Sequence, residues 1–438
     1  MSRLKTAVVS VSTLLVALLL VGAMLGKTPT DDGAYRQLAV YTEVLSRIKS
    51  DYVEEPDLKS VTLGALNGML ESIDPFASYL NADQYKEYLK HRDGYKGSVG
   101  LVLSKRFGAV GVVDAIPGSP AEKAGLSTGD LIESIKGIAT RDMPLAYAEL
   151  LLQGDPGTTV EVSVLSVRNP EAKKLTLTRT EVRYPDITAK LLPDGVGHIH
   201  VQTMKTGTSG EVTSAVKSLE KQGAKRLILD FRHSASGHLD EGIAVANLFL
   251  DKGQITYMKG QRVPRQSWDA DSTKQISKLP MVVITNRGTA GGAEIAAAAL
   301  LDNKRAEVVG ERTYGNASLR QSVAMDDGGA IILSVAKYYS PAGKAIQDTG
   351  VVPTVPMIEY DTPVDIDEEA EPQVAPPPQT APPAPETKGE DQLLKKAIEV
   401  LNKGAQSAGT QATPPASDPA KPDPKPAQDI ITPEKPIK

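Results

Sequence analysis

Three short apolar runs between residues 196 and 285 alternate with stretches of helical periodicity. The runs are VGHIHV at 196–201, RLILDFR at 226–232 and PMVVIT at 280–285. There are three helical stretches: one begins after Ser209, the second covers LDEGIAVANLFL and the third covers AEIAAAALLD. Buried strands separated by helices are typical of a sheet covered by helices. This order predicts an α/β unit over residues 183–358.

A glycine-punctuated segment, 95–182, precedes this unit. GSVGLVLS, GAVGVVDAI, GDLIESIKG and TTVEVSVLSV predict strands, and MPLAYAELLLQG predicts a helix. Ser119, Pro120 and Glu122 predict a short helix that opens with a capping box. This order and the phrase GSPAEKAGL, which is followed by GD, closely resemble a PDZ domain of the bacterial type.

The PDZ resemblance implies a binding site for peptides. In such domains a glycine-containing loop, here Ser98, Val99, Gly100 and Leu101, offers backbone N–H groups to the terminal carboxylate of a peptide. The peptide then adds a strand to the sheet edge. The expected partners are therefore peptide or protein C-termini. A PDZ fold that only packs or gates is the alternative.

The first 94 residues contain an export segment and a helical region. Ala7 to Gly26 are uncharged and mostly apolar and follow Arg3 and Lys5, which favours a membrane anchor with its N-terminus in the cytoplasm. A cleavable signal peptide is the alternative for residues 1–29. In either case we expect an exported, periplasmic or otherwise extracytoplasmic protein, with the inner membrane as the site of the anchor. Residues 33–94 predict amphipathic helices, the last one capped by Asn81 and Gln84.

The C-terminal region, 359–438, has a different composition. It contains 16 of the 31 prolines, in stretches such as APPPQTAPPAPE, and cannot bury enough apolar surface to fold. We expect a disordered tail. The sequence EDQLLKKAIEVLNKGA predicts a short helix near 390–404, either a marginal helix in a linker or a docking segment.

Composition excludes several classes of function. The formal net charge of −5, without a long basic block, gives no case for nucleic acid. The absence of cysteine excludes disulfides, thiolate metal sites and a cysteine nucleophile. His198 and His200 share one face of a predicted strand, but no His-Glu-x-x-His motif accompanies them, so we expect two structural histidines and no metal or other cofactor.

The order of helical region, PDZ domain and α/β unit resembles the carboxyl-terminal processing peptidases, the tail-specific serine proteases of family S41. The local matches are DPFASYL at 74–80, LILDFR at 227–232, VVGERTYG at 308–315 and YYSPAGKAIQ at 338–347. The resemblance implies a serine nucleophile, a lysine kept neutral by burial as its base, and backbone N–H groups that stabilise the oxyanion.

The reacting residues of the family do not appear at the matching positions. The nucleophile position falls on Gly291, the base position on Asn316, and the position of the glutamine that orients the base on Arg320. Glycine has no hydroxyl, and asparagine is not a base near neutral pH. The oxyanion positions fall on Gly237 and Gly292, although the family's Pro-Gly-Gly turn reads Ala-Ser-Gly here.

A relocated active site is the enzymatic alternative. Thr289 lies two positions before Gly291, and a threonine hydroxyl can act as a nucleophile beside a base. The further candidates are the hydroxyls of Ser234, Ser236 and Ser318 and the imidazoles of His233 and His238.

Because the family's reacting residues are missing at the matching positions, we expect a multidomain α/β pseudoprotease that retains peptide recognition. The alternatives are an active serine-type endopeptidase with relocated residues, and a non-catalytic structural partner of an active protease or periplasmic adaptor.

Overall fold

The structure is a computed structural model that describes residues 32–91, 96–106, 108–141, 143–166, 169–358 and 391–409. The chain forms two compact units, one ending at Met69 and the other beginning at Leu70. The predicted export segment 1–29 lies outside the described residues, as does the predicted tail apart from 391–409. Across the described ranges, no helix is long and apolar enough to cross a bilayer.

The first unit contains helix α1, Asp32–Asp51, and most of helix α2, Leu58–Glu71. Tyr41, Leu45 and Ile48 are half-buried on α1, whereas the positions between them are exposed. This spacing of three and four residues is that of one face of a helix. It confirms the amphipathic helix that the sequence predicts.

The second unit opens with strand β1, Ser78–Leu80, and helix α3, Ala82–His91. Asn81 caps α3: its Oδ1 accepts from the Gln84 N–H at 3.0 Å, and Gln84 Oε1 accepts from the Asn81 N–H at 3.1 Å. The reciprocal pair satisfies two N–H groups at the start of the helix. The predicted cap is confirmed.

The PDZ domain is an antiparallel sheet with two short helices. Its strands lie in the order β2-β3-β4-β6-β7, with β5 beside β4. The elements are β2 Leu101–Arg106, β3 Ala109–Ala115, α4 Pro120–Lys123, β4 Leu131–Ile135, β5 Ile138–Ala139, α5 Leu145–Leu152, β6 Thr159–Ser166 and β7 Asn169–Thr178. Val99, Leu103, Ile132 and Leu152 belong to one buried cluster that forms the core of this domain.

The cap of α4 differs from the prediction in one half. Ser119 Oγ accepts from the Glu122 N–H at 3.2 Å, as predicted. The Glu122 carboxylate, however, accepts from the Gly118 N–H at 2.7 Å, because the Ser119 N–H is already bonded to the Ile116 carbonyl oxygen. The predicted reciprocal bond is therefore wrong, although the helix begins where the sequence places it.

The α/β unit is built on a six-stranded sheet in the order β17-β14-β13-β10-β9-β8. All neighbours are parallel except β8 and β9. The elements are β8 Thr188–Leu192, β9 Val196–His200, α6 Thr208–Lys221, β10 Arg226–Asp230, α7 Leu239–Asn247, β13 Met281–Thr285, α8 Gly292–Asp302, β14 Ala306–Gly310 and β17 Val355–Pro356. This confirms the α/β class.

A second sheet in this unit is antiparallel and was not predicted from the sequence. Its order is β1-β16-β11-β12, with β15 also on β16. Its further strands are β11 Gln254–Lys259, β12 Gln266–Asp269, β15 Ser318–Ala324 and β16 Ala330–Tyr339. Because β1 pairs with β16, residues near Asp74 are held against the α/β unit.

The last described helix, α9, Gln392–Gly409, covers the outer face of the parallel sheet. Side chains alternate along a strand: Leu227 and Leu229 of β10 pack with α6, α7 and α8, whereas Ile228 packs in the cluster that contains Leu393 and Leu401 of α9. The sequence left open whether this helix is a linker or a docking segment, and in the structure it docks.

Candidate functional site

The residues at the predicted nucleophile and base positions meet where β13 and β14 end. Carboxyl ends of parallel strands are the usual position of a ligand site in such a sheet. The loop 286–291 follows β13, the turn 232–237 follows β10, and the segment 311–317 follows β14. The structure therefore brings the positions predicted from the family resemblance to one edge of the sheet.

Gly291 is the N-cap of α8 and has φ 64° and ψ −123°. Residues other than glycine rarely adopt this conformation, and a sharp strand-to-helix turn of this kind exposes a residue at the top of a sheet. A Cβ built at Gly291 would lie 3.7 Å from Leu239 Cδ2 and 3.8 Å from the Asn316 carbonyl oxygen. The position thus has room for a side chain, and it lies beside Asn316.

Glu294 joins these two positions. Its carboxylate, which is 0% exposed, accepts from the Thr313 hydroxyl and from the N–H groups of Gly291, Gly315 and Asn316, the last three at 3.0, 2.7 and 2.8 Å. Burial raises the pKa of Glu294 to about 7, although these hydrogen bonds act in the opposite direction. Sequence reasoning missed this role, because Glu294 reads only as a residue in the first turn of a helix.

Asn316 and Arg320 form a polar pair at the base position. Arg320 Nη2 donates to Asn316 Oδ1 at 2.7 Å, and the guanidinium carbon lies 4.5 Å from the centre of the Phe76 ring. Arg320 is exposed, and its charge also lies near Glu149 of α5. Burial raises the pKa of Glu149, and the charge of Arg320 acts in the opposite direction. The pair offers a fixed positive charge and an amide, and neither is a base near neutral pH.

Most of the hydroxyls considered as relocated nucleophiles have partners. Thr289 is fully buried; its Oγ1 donates to the Phe231 carbonyl oxygen at 2.8 Å and accepts from the Asn286 N–H at 3.0 Å. The hydroxyls of Ser236 and Ser318 bond those of Thr203 and Ser334, at 3.1 and 2.8 Å. Ser234 Oγ has no hydrogen-bond partner in the part of the chain that the structure describes, but Ser234 is 0% exposed.

His233 contacts the PDZ domain. Its Nδ1 lies 3.2 Å from Asp114 Oδ1 on β3, and its Nε2 lies 2.9 Å from Asn286 Nδ2. Asn286 Oδ1 accepts from the N–H groups of His233 and Gly288, so its amide nitrogen faces Nε2. His238 lies at the N-cap of α7.

The two predicted oxyanion positions are glycines with no room for a side chain. A Cβ at Gly237 would lie 2.2 Å from the Met204 carbonyl oxygen, and one at Gly292 would lie 2.6 Å from the His238 carbonyl oxygen. Close approach of two backbone segments requires glycine. The close approach at Gly237 holds the turn after β10 against Met204, which follows β9, and the close approach at Gly292 holds the start of α8 against His238.

The predicted histidine pair belongs to a structural network. The His198 and His200 rings stack at 6.3 Å; His198 Nε2 lies 3.1 Å from Asp230 Oδ2. Burial would raise the pKa of Asp230, but hydrogen bonds from His198 and Arg232 hold it well below its ordinary value. Arg232 in turn donates to Asp391 beside α9 at 2.7 Å. Within the described ranges no group of three or more His, Cys, Asp or Glu side chains is placed to hold a metal.

The predicted carboxylate loop precedes the edge strand β2. The Ser98 N–H donates to the Thr180 carbonyl oxygen at 2.9 Å, and the Gly100 N–H lies 3.1 Å from Ser98 Oγ. Gly100 has a positive φ of 81°, and a Cβ there would collide with the Ser119 side chain. Val99 is fully buried and Leu101 is half-buried.

The PDZ domain lies directly on the loops that surround Gly291. Val113 packs with Ala235 and Ala290 in one buried cluster, and Ser104 hydrogen-bonds the Tyr314 hydroxyl. A cavity of about 990 Å³ opens beside this contact between the two domains. None of these contacts is visible in the sequence, because the partners come from distant parts of the chain.

Comparisons with known proteins agree with this architecture. The model of peptidase family S41 matches residues 195–357, and a PDZ domain model matches residues 111–165. The carboxy-terminal processing protease CtpA of Bacillus subtilis is 32% identical over 333 residues, which cover 74% of this chain and 69% of that protein. The chloroplastic carboxyl-terminal-processing peptidase 2 of Arabidopsis thaliana is 32% identical, with coverages of 74% and 63%.

A solved structure supports the same assignment. The photosystem II D1 C-terminal processing protease superposes with a TM-score of 0.60 at 29% identity, covering 73% of this chain and 92% of that one. Fold and site together define a PDZ-containing protein with a serine-peptidase fold. The chain belongs to peptidase family S41, among the carboxy-terminal processing proteases.

Proposed function

We propose that this chain is a non-catalytic member of family S41 that recognises peptide or protein C-termini through its PDZ domain. The observation that carries the proposal is Gly291 at the family's nucleophile position, beside Asn316 at the position of the base. Acyl transfer by this family's chemistry needs a hydroxyl that attacks and a group that takes its proton. Neither residue supplies one.

Peptide recognition needs only features that this chain retains. The PDZ domain has an edge strand, β2, and a glycine-containing loop before it. Such a pair binds a free carboxylate with backbone N–H groups and extends the sheet with the peptide. A peptide with a free C-terminus should therefore bind more tightly than its amidated twin. Equal affinities would reduce the domain to a packing or gating module.

A labelling experiment tests the absence of a nucleophile. The full chain is treated with a fluorophosphonate probe and incubated with an unstructured peptide, beside the Bacillus subtilis relative as a positive control. We expect neither a covalent adduct nor cleavage from this chain. Turnover that disappears on Thr289→Ala would establish a relocated nucleophile and overturn the proposal.

We also propose that the chain is exported and anchored to the inner membrane by residues 1–29. Support comes from the apolar segment Ala7 to Gly26 behind two basic residues. An alkaline phosphatase fusion after residue 30 should be active only if the fusion point is outside the cytoplasm. Membrane fractionation of the same fusion would separate a permanent anchor from a cleaved signal.

A non-catalytic partner of an active protease is the second candidate. It is favoured by the close packing of Val113 of the PDZ domain against Ala235 and Ala290, which lie in the loops next to Gly291. Co-purification of the full chain with an active S41 protease of the same cell would support it. Retention of that complex in the presence of saturating C-terminal peptide would separate it from peptide recognition.

A further inference from the structure

The edge of the PDZ sheet is already used by the chain itself. The Lys105 N–H of β2 donates to the Pro75 carbonyl oxygen at 3.0 Å. Because backbone groups alternate in direction along a strand, Leu101 and Leu103 direct their N–H groups to the same side. This is the edge on which a peptide would add a strand.

The segment that contains Pro75 lies between β2 and α5 and contacts both. We call residues 74–80 the inner strip. Ser78 Oγ of the inner strip accepts from the Ala146 N–H in the first turn of α5, at 3.1 Å. The inner strip therefore joins the edge strand to the helix that lies beside it.

Phe76 of the inner strip is part of the PDZ core. It is 2% exposed and belongs to the same buried cluster as Leu103, Leu145, Ala148 and Leu152. These side chains come from β2 and α5. An apolar side chain of a bound peptide would need the same space, because it too would lie between the edge strand and this helix.

The α/β unit holds the inner strip from its other side. Asp74 accepts from the Phe76 N–H at 2.9 Å and from the Ser334 N–H at 3.2 Å. The Phe76 ring contacts the Tyr314 ring edge-on, with 6.1 Å between the ring centres, and the Arg320 guanidinium lies over the Phe76 ring. Phe76 thus contacts both domains at once.

We propose that the inner strip is a built-in occupant of the PDZ groove, and that a peptide C-terminus binds only when Phe76 leaves it. The inference rests on the proposed function, because it presupposes that the PDZ domain binds C-termini. Departure of Phe76 also breaks its contacts with Tyr314 and Arg320.

The first test compares affinities of the full chain for a library of random heptapeptides with free C-termini, and for their amidated counterparts. The peptides of this library that bind are selected, and Phe76→Ala should bind them at least tenfold more tightly than the native chain. Phe249→Ala is the matched control, because Phe249 is a fully buried phenylalanine of the α/β core. Equal affinities of Phe76→Ala and the native chain would overturn the inference.

A disulfide lock provides the second test and does not depend on removing a core side chain. The chain has no cysteine, so Ser78→Cys with Ala146→Cys can form a single intramolecular disulfide. The oxidised form should bind the peptides at least tenfold more weakly than the reduced form, whereas either single variant should not respond to reductant. Unchanged affinity on oxidation, or failure of the disulfide to form, would contradict an inner strip that blocks the groove.

The tests also separate this inference from the proposed function. If no variant distinguishes free from amidated peptides, C-terminal recognition fails, and the inference fails with it. If all forms bind free C-termini with equal affinity, recognition stands and only the occupied groove is wrong.

Discussion

At the scale of single residues, the site around Gly291 combines a tightly packed backbone frame with a position that has no hydroxyl. The left-handed backbone, the glycines at 237 and 292 and the buried Glu294 persist around a position without a hydroxyl. A substitution at one position of the site changes one side chain, whereas changing such a frame would disturb several buried contacts. The frame therefore has a structural role that does not depend on catalysis.

Gly291→Ser should fold and remain inactive. The built Cβ has no contact shorter than 3.7 Å, so the cost comes from the positive φ and should be about 1–2 kcal/mol. Gly223→Ser is the control for that cost, because Gly223 has φ 99° and open space around it. Urea unfolding measures both, and fluorophosphonate labelling should give no adduct. Full activity of this single variant would mean that a base is already present.

Glu294 should make stability depend on pH. Because its pKa of about 7 in the folded chain is above the ordinary value of 4.5, it stabilises the fold most below pH 4.5, and this contribution is lost as the pH rises through 7. The unfolding free energy of the native chain should fall by about 3 kcal/mol over this range relative to Glu294→Gln. Urea unfolding at pH 5 and pH 8 tests this. Glu307→Gln, at an exposed position of β14, should parallel the native chain.

At the scale of elements, α9 is a constituent of the α/β unit. Leu393, Ala397 and Leu401 are each at most 3% exposed and cover one face of the parallel sheet. Arg232 adds an ion pair with Asp391 at 2.7 Å, next to the turn 232–237. Without this helix, Ile228, Val282 and Ile284 would lose their cover.

Leu401→Ala should therefore destabilise the fold by about 2–5 kcal/mol, the range for a buried leucine. Glu399→Ala lies on the exposed side of the same helix and should change stability by less than about 0.5 kcal/mol. Urea unfolding of the full chain compares the two. Equal small effects would indicate that α9 contributes little to the folded unit.

At the scale of the whole molecule, the PDZ domain and the α/β unit share the loops of the site. Asp114 of β3 meets His233, and Ser104 of β2 meets Tyr314. Burial raises the pKa of Asp114, and its hydrogen bond with His233 opposes that effect. A substitution in the PDZ domain at this contact should thus alter the dynamics of the loops next to Gly291.

Asp114→Ala should loosen the site without unfolding it. The loss of the His233 partner should increase hydrogen exchange in segments 232–236 and 286–290 several-fold, because both are tied together through Asn286. Asp155→Ala, at an exposed turn of the PDZ domain, should leave exchange there unchanged. Increased exchange across the whole chain would point to global destabilisation instead.

Restoration of catalysis should require more than two changes. In Gly291→Ser with Asn316→Lys, Arg320 would put a fixed charge next to the new lysine, since it now lies 2.7 Å from Asn316 Oδ1. That charge favours the neutral lysine but competes for its orientation. We expect the double variant to be inert or very slow. Adding Arg320→Gln and a Pro-Gly-Gly turn at 235–237 should raise peptide cleavage, because a misplaced oxyanion donor costs about a hundredfold in rate.

The sequence by itself determined the order of domains and most of their helices and strands, and it predicted which residues stand at the reacting positions of the family. These depend on local information: apolar periodicity, caps such as Asn81 with Gln84, and motifs that align residue by residue. For the same reason the sequence predicted that Gly291 and Asn316 belong to one site, although it could not give their separation.

Only the tertiary structure decided what surrounds those positions. The docking of α9, the burial of Glu294, the pairing of His233 with Asp114 and the contact of Phe76 with Arg320 each join residues from different elements. The periodicity of a sequence does not indicate which distant residue a polar side chain will contact. Whether such a side chain reacts, binds or holds two domains together depends on which distant residue folding brings next to it, and pairings between distant residues leave no signal in local periodicity.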